Sequence, residues 1–155
     1  MTRHIPFILP SGTVSSSRSP ISDPSHSRRR YGSRSLTLAH TQSAIVELSP
    51  SICGTLMRAQ PHSASAVHHH GTQDTIVYAV SGYGSLVSSS GKSKDGPFGD
   101  VRQDLKPGDW ALIPAYREHQ EVNDGDEEVV WVIVRAPEGV PIVENLKGWG
   151  GSLET

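Results

Sequence analysis

Val67-His68-His69-His70-Gly71-Thr72-Gln73-Asp74-Thr75-Ile76-Val77-Tyr78-Ala79-Val80-Ser81-Gly82 is the stretch on which the reading of this chain turns. Three consecutive imidazoles lead into a run rich in Ile, Val and Tyr, which Ser81-Gly82 closes. β-Branched and aromatic residues bounded by turn residues read as strand. In a strand, His68 and His70 leave the same face and His69 leaves the other. Two imidazoles on one face originate about 6–7 Å apart. That is close enough to share one divalent metal at about 2.0–2.2 Å from each nitrogen.

The same texture continues outward from this stretch. Short apolar or alternating runs occur at Ala44–Leu48, Ile52–Ala59, Ala64–His70, Thr75–Ser81, Ser85–Ser88, Trp110–Ile113, Glu118–Val122 and Glu128–Ala136. Turn chemistry separates them, as in Ser49-Pro50, Gln60-Pro61, Lys106-Pro107-Gly108-Asp109 and Asn123-Asp124-Gly125-Asp126. No window of ten or more residues carries a helical period. Regular short strands without helices predict a sandwich or barrel. Ser89–Asp100 reads as an exposed loop. The nearly continuous apolar run Glu128–Ala136 predicts a strand covered on both faces, and Pro137–Thr155 an irregular tail over the barrel mouth or a partner.

With 155 residues the chain holds about one domain. Its formal net charge of −2 gives no electrostatic reason to coat nucleic acid or membrane, so neither is expected as a partner. The single cysteine, Cys53, excludes an internal disulfide framework and a Cys-rich zinc site. No apolar run approaches the roughly 20 residues of a membrane span. Eight histidines, 15 glycines and 11 prolines suit a turn-rich β domain with a metal site.

The amino-terminal part is different. Residues 1–46 hold six arginines against one acid, Asp23, and ten serines fall between Ser11 and Ser35. Such a segment buries too little apolar surface to offset its ordering entropy. The expected organisation is a disordered Ser/Arg-rich arm over 1–40, a β domain over 44–147 and a tail over 148–155. Arginine and serine without acids is also the composition of a mitochondrial presequence, although Pro6, Pro10, Pro20 and Pro24 break the helix one would need. The expected location is cytoplasmic, with mitochondrial as the alternative.

A second cluster follows the first. His68-x-His70, Asp74 and Gly82 are succeeded by Gly108-x5-Pro114-x-Tyr116-x2-His119-x3-Asn123. This resembles the two-motif signature of the cupin superfamily, G-x5-H-x-H-x3,4-E-x6-G followed by G-x5-P-x-G-x2-H-x3-N. The second motif matches at every fixed spacing, with Tyr116 in place of Gly. In the first, His62 stands at the upstream Gly position, and the acidic position falls on Asp74 or on Thr75 according to the count. The string also resembles small cupins reading HHHG-x-x-E-T, with Asp74 replacing Glu. The resemblance covers about residues 44–147.

It implies an all-β double-stranded β-helix, the cupin barrel or jelly roll, with one divalent metal near its mouth. The implied ligands are His68, His70 and His119, with Asp74 as the acidic candidate. Asp74 either reaches the metal or, being one methylene shorter than Glu, stays behind to orient a histidine or a water. Such a set suits Fe(II), Mn(II), Ni(II) or Zn(II), with Fe(II) favoured. Tyr78, four residues after Asp74, and Arg58 are candidate catalytic residues, one as a phenolic donor and the other as a clamp for an anionic substrate. Core packing and a surface ion pair are their respective alternatives.

The implied function is a metal-dependent enzyme acting on a small organic molecule, led by an Fe(II)-type dioxygenase or other oxidoreductase. The alternatives are a non-redox isomerase, cyclase or decarboxylase, and a non-catalytic binding protein. Single-domain cupins usually pair, so a homodimer is expected.

Overall fold

A computed structural model describes residues 39–89 and 99–155. The expected disordered arm therefore lies outside the described residues as far as position 38, as does most of the Ser89–Asp100 loop. In chain order the strands are β1 (Ala39–Ile45), β2 (Cys53–Ala59), β3 (Ser63–Ala64), β4 (His68–His69), β5 (Asp74–Ser81) and β6 (Gly84–Ser88). They continue as β7 (Val101–Leu105), β8 (Trp110–Ile113), β9 (His119–Asn123), β10 (Val129–Ala136) and β11 (Glu144–Asn145). No helix occurs among the described residues.

Two antiparallel sheets face each other. One has the order β1-β2-β10-β5-β8, and the other runs β11-β4-β9-β6-β7 with β3 added to β9. This is the double-stranded β-helix. Three strands were not foreseen in their observed form. β1 begins at Ala39, ahead of the expected start at Ala44. β7 (VRQDL) alternates half-exposed and exposed residues along the edge of its sheet, so it lacks the apolar run that marks a buried strand. β11 consists of two polar residues, held by pairing with His68 and His69.

The outward face of β10 is open. Val132 is 36% exposed on it, so the described residues of one chain leave that face partly uncovered. The inward residues Val129, Trp131 and Ile133 are buried. They join Met57, Ala59, Val77, Ala79, Leu86, Leu105, Ala111 and Ile113 in one apolar cluster. Gly84 makes room for it, since a Cβ there would stand 2.7 Å from Cζ2 of Trp131. Gly82 turns the chain between β5 and β6 at φ 75°, a conformation that favours glycine.

The interior is apolar at one end and polar at the other. Along β2 the inward residues run Ala59, Met57, Thr55, Cys53; along β5, Ala79, Val77, Thr75; along β10, Val129, Trp131, Ile133, Arg135. The pairing register lines up their polar ends, with Arg135 opposite Cys53 on one side and Thr75 on the other. In the facing sheet, His119 sits opposite His68 and Ser88. The carboxy-terminal tail closes beside this polar end. Buried Gln73 donates to the carbonyls of Pro137 and Val140 at 2.7 and 2.9 Å and accepts from the Ile142 N–H at 2.8 Å.

Candidate metal centre

His68 enters the barrel from β4 and His119 from β9, where they are register partners, and His70 follows at the end of β4. All three are buried. Ring centroids lie 4.3 Å apart for His68 and His119, 4.8 Å for His70 and His119, and 5.0 Å for His68 and His70. His119, 49 residues beyond His70 in the sequence, therefore meets His68 and His70 at one point.

The fourth donor is Glu121. Two residues beyond His119 on β9, it leaves the same inward face. One ligand atom from each of His68, His70, His119 and Glu121 falls within 4.8 Å of the others. Oε1 of Glu121 is 3.6 Å from Nε2 of His119 and 3.7 Å from Nε2 of His68, too long for hydrogen bonds and suited to donors around a common cation.

The backbone fixes which nitrogen each ring presents. Nδ1 of His68 lies 2.9 Å from the Ala66 carbonyl, that of His70 2.8 Å from the Ile142 carbonyl, and that of His119 2.7 Å from the Arg117 carbonyl. A carbonyl only accepts, so each Nδ1 carries the proton and each Nε2 presents a lone pair to the centre. Nε2 of His70 and of His119 is buried without a partner. Burial also disfavours the charged form of two of the rings: it lowers the His68 pKa, and, with help from the charge of Arg135, lowers that of His70 to about 2. Buried, orphaned Nε2 atoms beside a carboxylate are what a divalent cation needs. The residues present fit the group.

The remaining sequence candidates stand on the outer face. Asp74 is exposed, and its Oδ1 accepts the backbone N–H of Ala115 at 2.9 Å. Strand alternation turns Thr75 inward and Asp74 outward, so Asp74 takes no place among the clustered donors. Tyr78 shares that outward face and packs on Trp110 with ring centroids 4.6 Å apart. Arg58 is exposed and pairs with Glu128 at 2.8 Å. The structure therefore brings together His68, His70 and His119, but not Asp74, Tyr78 or Arg58. Asn123, read as turn chemistry, serves that purpose through donation to the Ala59, Gln60 and Glu127 carbonyls.

A family model described as a cupin domain matches residues 55–135. The chain belongs to the cupin family.

Among curated relatives, this cupin is 42% identical over 79 residues to an acireductone dioxygenase of Bacillus velezensis, a match covering 50% of the chain and 42% of the relative. It is 41% identical over 78 residues to an acireductone dioxygenase of Bacillus pumilus, covering 49% and 42%. The chain thus spans well under half the length of these relatives. In fold it resembles an oxalate decarboxylase mutant of Bacillus subtilis, with a TM-score of 0.57 at 18% identity, over 70% of this chain and 27% of that one. It also resembles a protein with a double-stranded β-helix domain from Klebsiella pneumoniae, at 0.57 and 20% identity over 82% and 98%. The two residues that stand at glycine positions of the motif pattern, His62 and Tyr116, have positive φ (54° and 57°), a conformation that favours glycine.

Proposed function

We propose that this cupin is a metal-dependent dioxygenase acting on a small organic molecule, with one Fe(II) held by His68, His70, His119 and Glu121. The observation that carries this reading is the buried four-donor cluster, whose rings are oriented by three backbone carbonyls. Three neutral imidazoles and one carboxylate suit a first-row divalent metal. Similarity to acireductone dioxygenases over half of the chain supports the reaction class. When bound, such a metal supplies a site at which an electron-rich substrate and O₂ react side by side. The chain holds the rings in one tautomer, and the apolar cluster beneath limits water to the polar end.

Acireductone, the molecule named in those relatives, is the first substrate to test. Fe(II)-loaded protein should consume O₂ with it, and His70→Ala should abolish both metal uptake and O₂ consumption. Equal turnover without O₂ would replace this reading with a non-redox reaction, and substrate recovered unchanged would replace it with a binding role. Higher activity with Mn(II), Ni(II) or Zn(II) would overturn the choice of metal.

The same proposal includes a homodimer. The outer face of the β1-β2-β10-β5-β8 sheet exposes Ile76, Val80, Trp110, Leu112 and Val132, a contiguous apolar surface that supports pairing with a second copy. A cytoplasmic location is consistent with the single thiol of Cys53, which is free and buried. Among the described residues no helix is long and apolar enough to cross a membrane.

A further inference from the structure

One charged interior residue takes no part in the donor cluster. Arg135 on β10 is 5% exposed and faces inward, flanked in register by Cys53 and Thr75. Of its five guanidinium N–H groups, the side-chain hydrogen bonding amounts to one contact, Nη1 to Oγ1 of Thr55 at 3.3 Å. Its Nε is buried without a partner. Among the described residues no carboxylate lies within 4.0 Å of it.

Burying an unpaired guanidinium is unfavourable, and proteins offset that cost with an anion. The strand of Arg135 runs into the segment that holds the metal centre: two residues beyond Arg135 the Pro137 carbonyl accepts from Gln73, Gln73 accepts the Ile142 N–H, and the Ile142 carbonyl fixes Nδ1 of His70. Other unsatisfied atoms gather at the same end of the barrel. Oγ1 of Thr75, next to Arg135 in its sheet, and Oγ of Ser88, the register partner of His119 in the facing sheet, are both buried without partners.

We propose that Arg135, with Thr55 and Thr75, forms an anion subsite that holds the carboxylate or enolate oxygens of a small substrate against the metal centre. The proposal rests on the metal site argued above and adds the substrate class, a small delocalised oxyanion. The planar guanidinium presents parallel N–H groups to two oxygens at once. The threonine hydroxyls donate to the same atoms.

Calorimetry on the full chain loaded with Mn(II) tests this, using oxalate as the probe and oxamide as its uncharged counterpart. Wild-type protein should bind oxalate more tightly than oxamide. Arg135→Met should weaken oxalate at least tenfold, leave oxamide unchanged and retain Mn(II), while Arg135→Lys should recover part of the loss. Thr75→Val and Thr55→Val, which conserve shape, should each weaken oxalate severalfold and keep the test alive if Arg135→Met does not fold. Oxalate bound equally by wild type and the Arg135 and Thr variants, with Mn(II) retained, would sink the subsite and leave the metal centre standing. Failure of the wild type to take up Mn(II) would sink both.

Discussion

Glu121 and His119 leave the same face of β9 two residues apart, and Oε1 of the acid stands 3.6 Å from Nε2 of the histidine. The carboxylate of the donor cluster thus comes from the second motif, while the acid of the first motif, Asp74, bonds the Ala115 backbone outside the barrel. Glu121→Gln should therefore lower metal affinity by at least tenfold with the fold intact. Asp74→Asn should leave metal content unchanged and cost no more than about 1–2 kcal/mol of stability through the weakened bond to Ala115. Metal content by elemental analysis, beside denaturant midpoints, decides between the two carboxylates. Loss of metal in Asp74→Asn and not in Glu121→Gln would reverse the assignment.

Burial depresses the His68 and His70 pKa values in the folded chain, the latter to about 2. On unfolding both rings return to about 6.5 and take up protons that the native state refuses. Stability is therefore fully present above pH 6.5 and falls with pH below it. Two units lower, at pH 4.5, His70 alone removes roughly 3 kcal/mol. Urea unfolding of the metal-free protein should show its midpoint dropping between pH 7 and 4.5, and His70→Gln should flatten that slope. A midpoint indifferent to pH across this window would contradict the burial of these neutral rings.

The strand pattern and the histidine spacing were legible because both depend on local chemistry. Inward alternation along His68-x-His70 and the turn residues around each run need no knowledge of distant partners. Asp74 and Tyr78 mislead for a physical reason: a one-residue shift of register moves every side chain to the opposite face. Thr75, not Asp74, is inward, and only the pairing of β5 with β10 fixes that. Glu121 carried a signal, an acid two positions after a ligand histidine in a strand, which sits where an apolar residue is otherwise expected. Arg135 carried none, since an arginine ending an apolar run reads as a strand end at the surface. β7 and β11 carry no such pattern, because pairing, not composition, makes them strands.

His62 and Tyr116 occupy left-handed backbone at φ 54° and 57°, each at a position where the family pattern has glycine. A side chain costs about 1–2 kcal/mol there, and glycine gives back about 0.5–1 kcal/mol through its greater freedom when unfolded. His62→Gly sacrifices only an exposed pair with Asp126, which is worth little. It should leave stability unchanged or raise it by up to about 1 kcal/mol, read from the denaturant midpoint. Tyr116→Gly should do the same less a small loss, because the ring also rests on His69 at 5.8 Å. A fall of more than about 1 kcal/mol in His62→Gly would show that its side chain stabilises the turn in some other way.

The outer face of the five-stranded sheet gives the last expectation. Ile76 pairs with Leu112 across β5 and β8, and Val132 pairs with Tyr78, which in turn pairs with Trp110. These cross-strand neighbours put apolar side chains side by side on a face with no helix or second layer over it among the described residues. Water contact over such an area is unfavourable, and a second copy presenting the same surface across a twofold axis would remove it. Val132→Lys together with Ile76→Lys places four ammonium groups in that contact and should convert a dimer into a monomer in sedimentation velocity. Neither residue faces the barrel interior, so metal content and oxalate binding should persist in the monomer. A wild-type protein that sediments as a monomer at every concentration would remove the pairing and leave the apolar face for another partner.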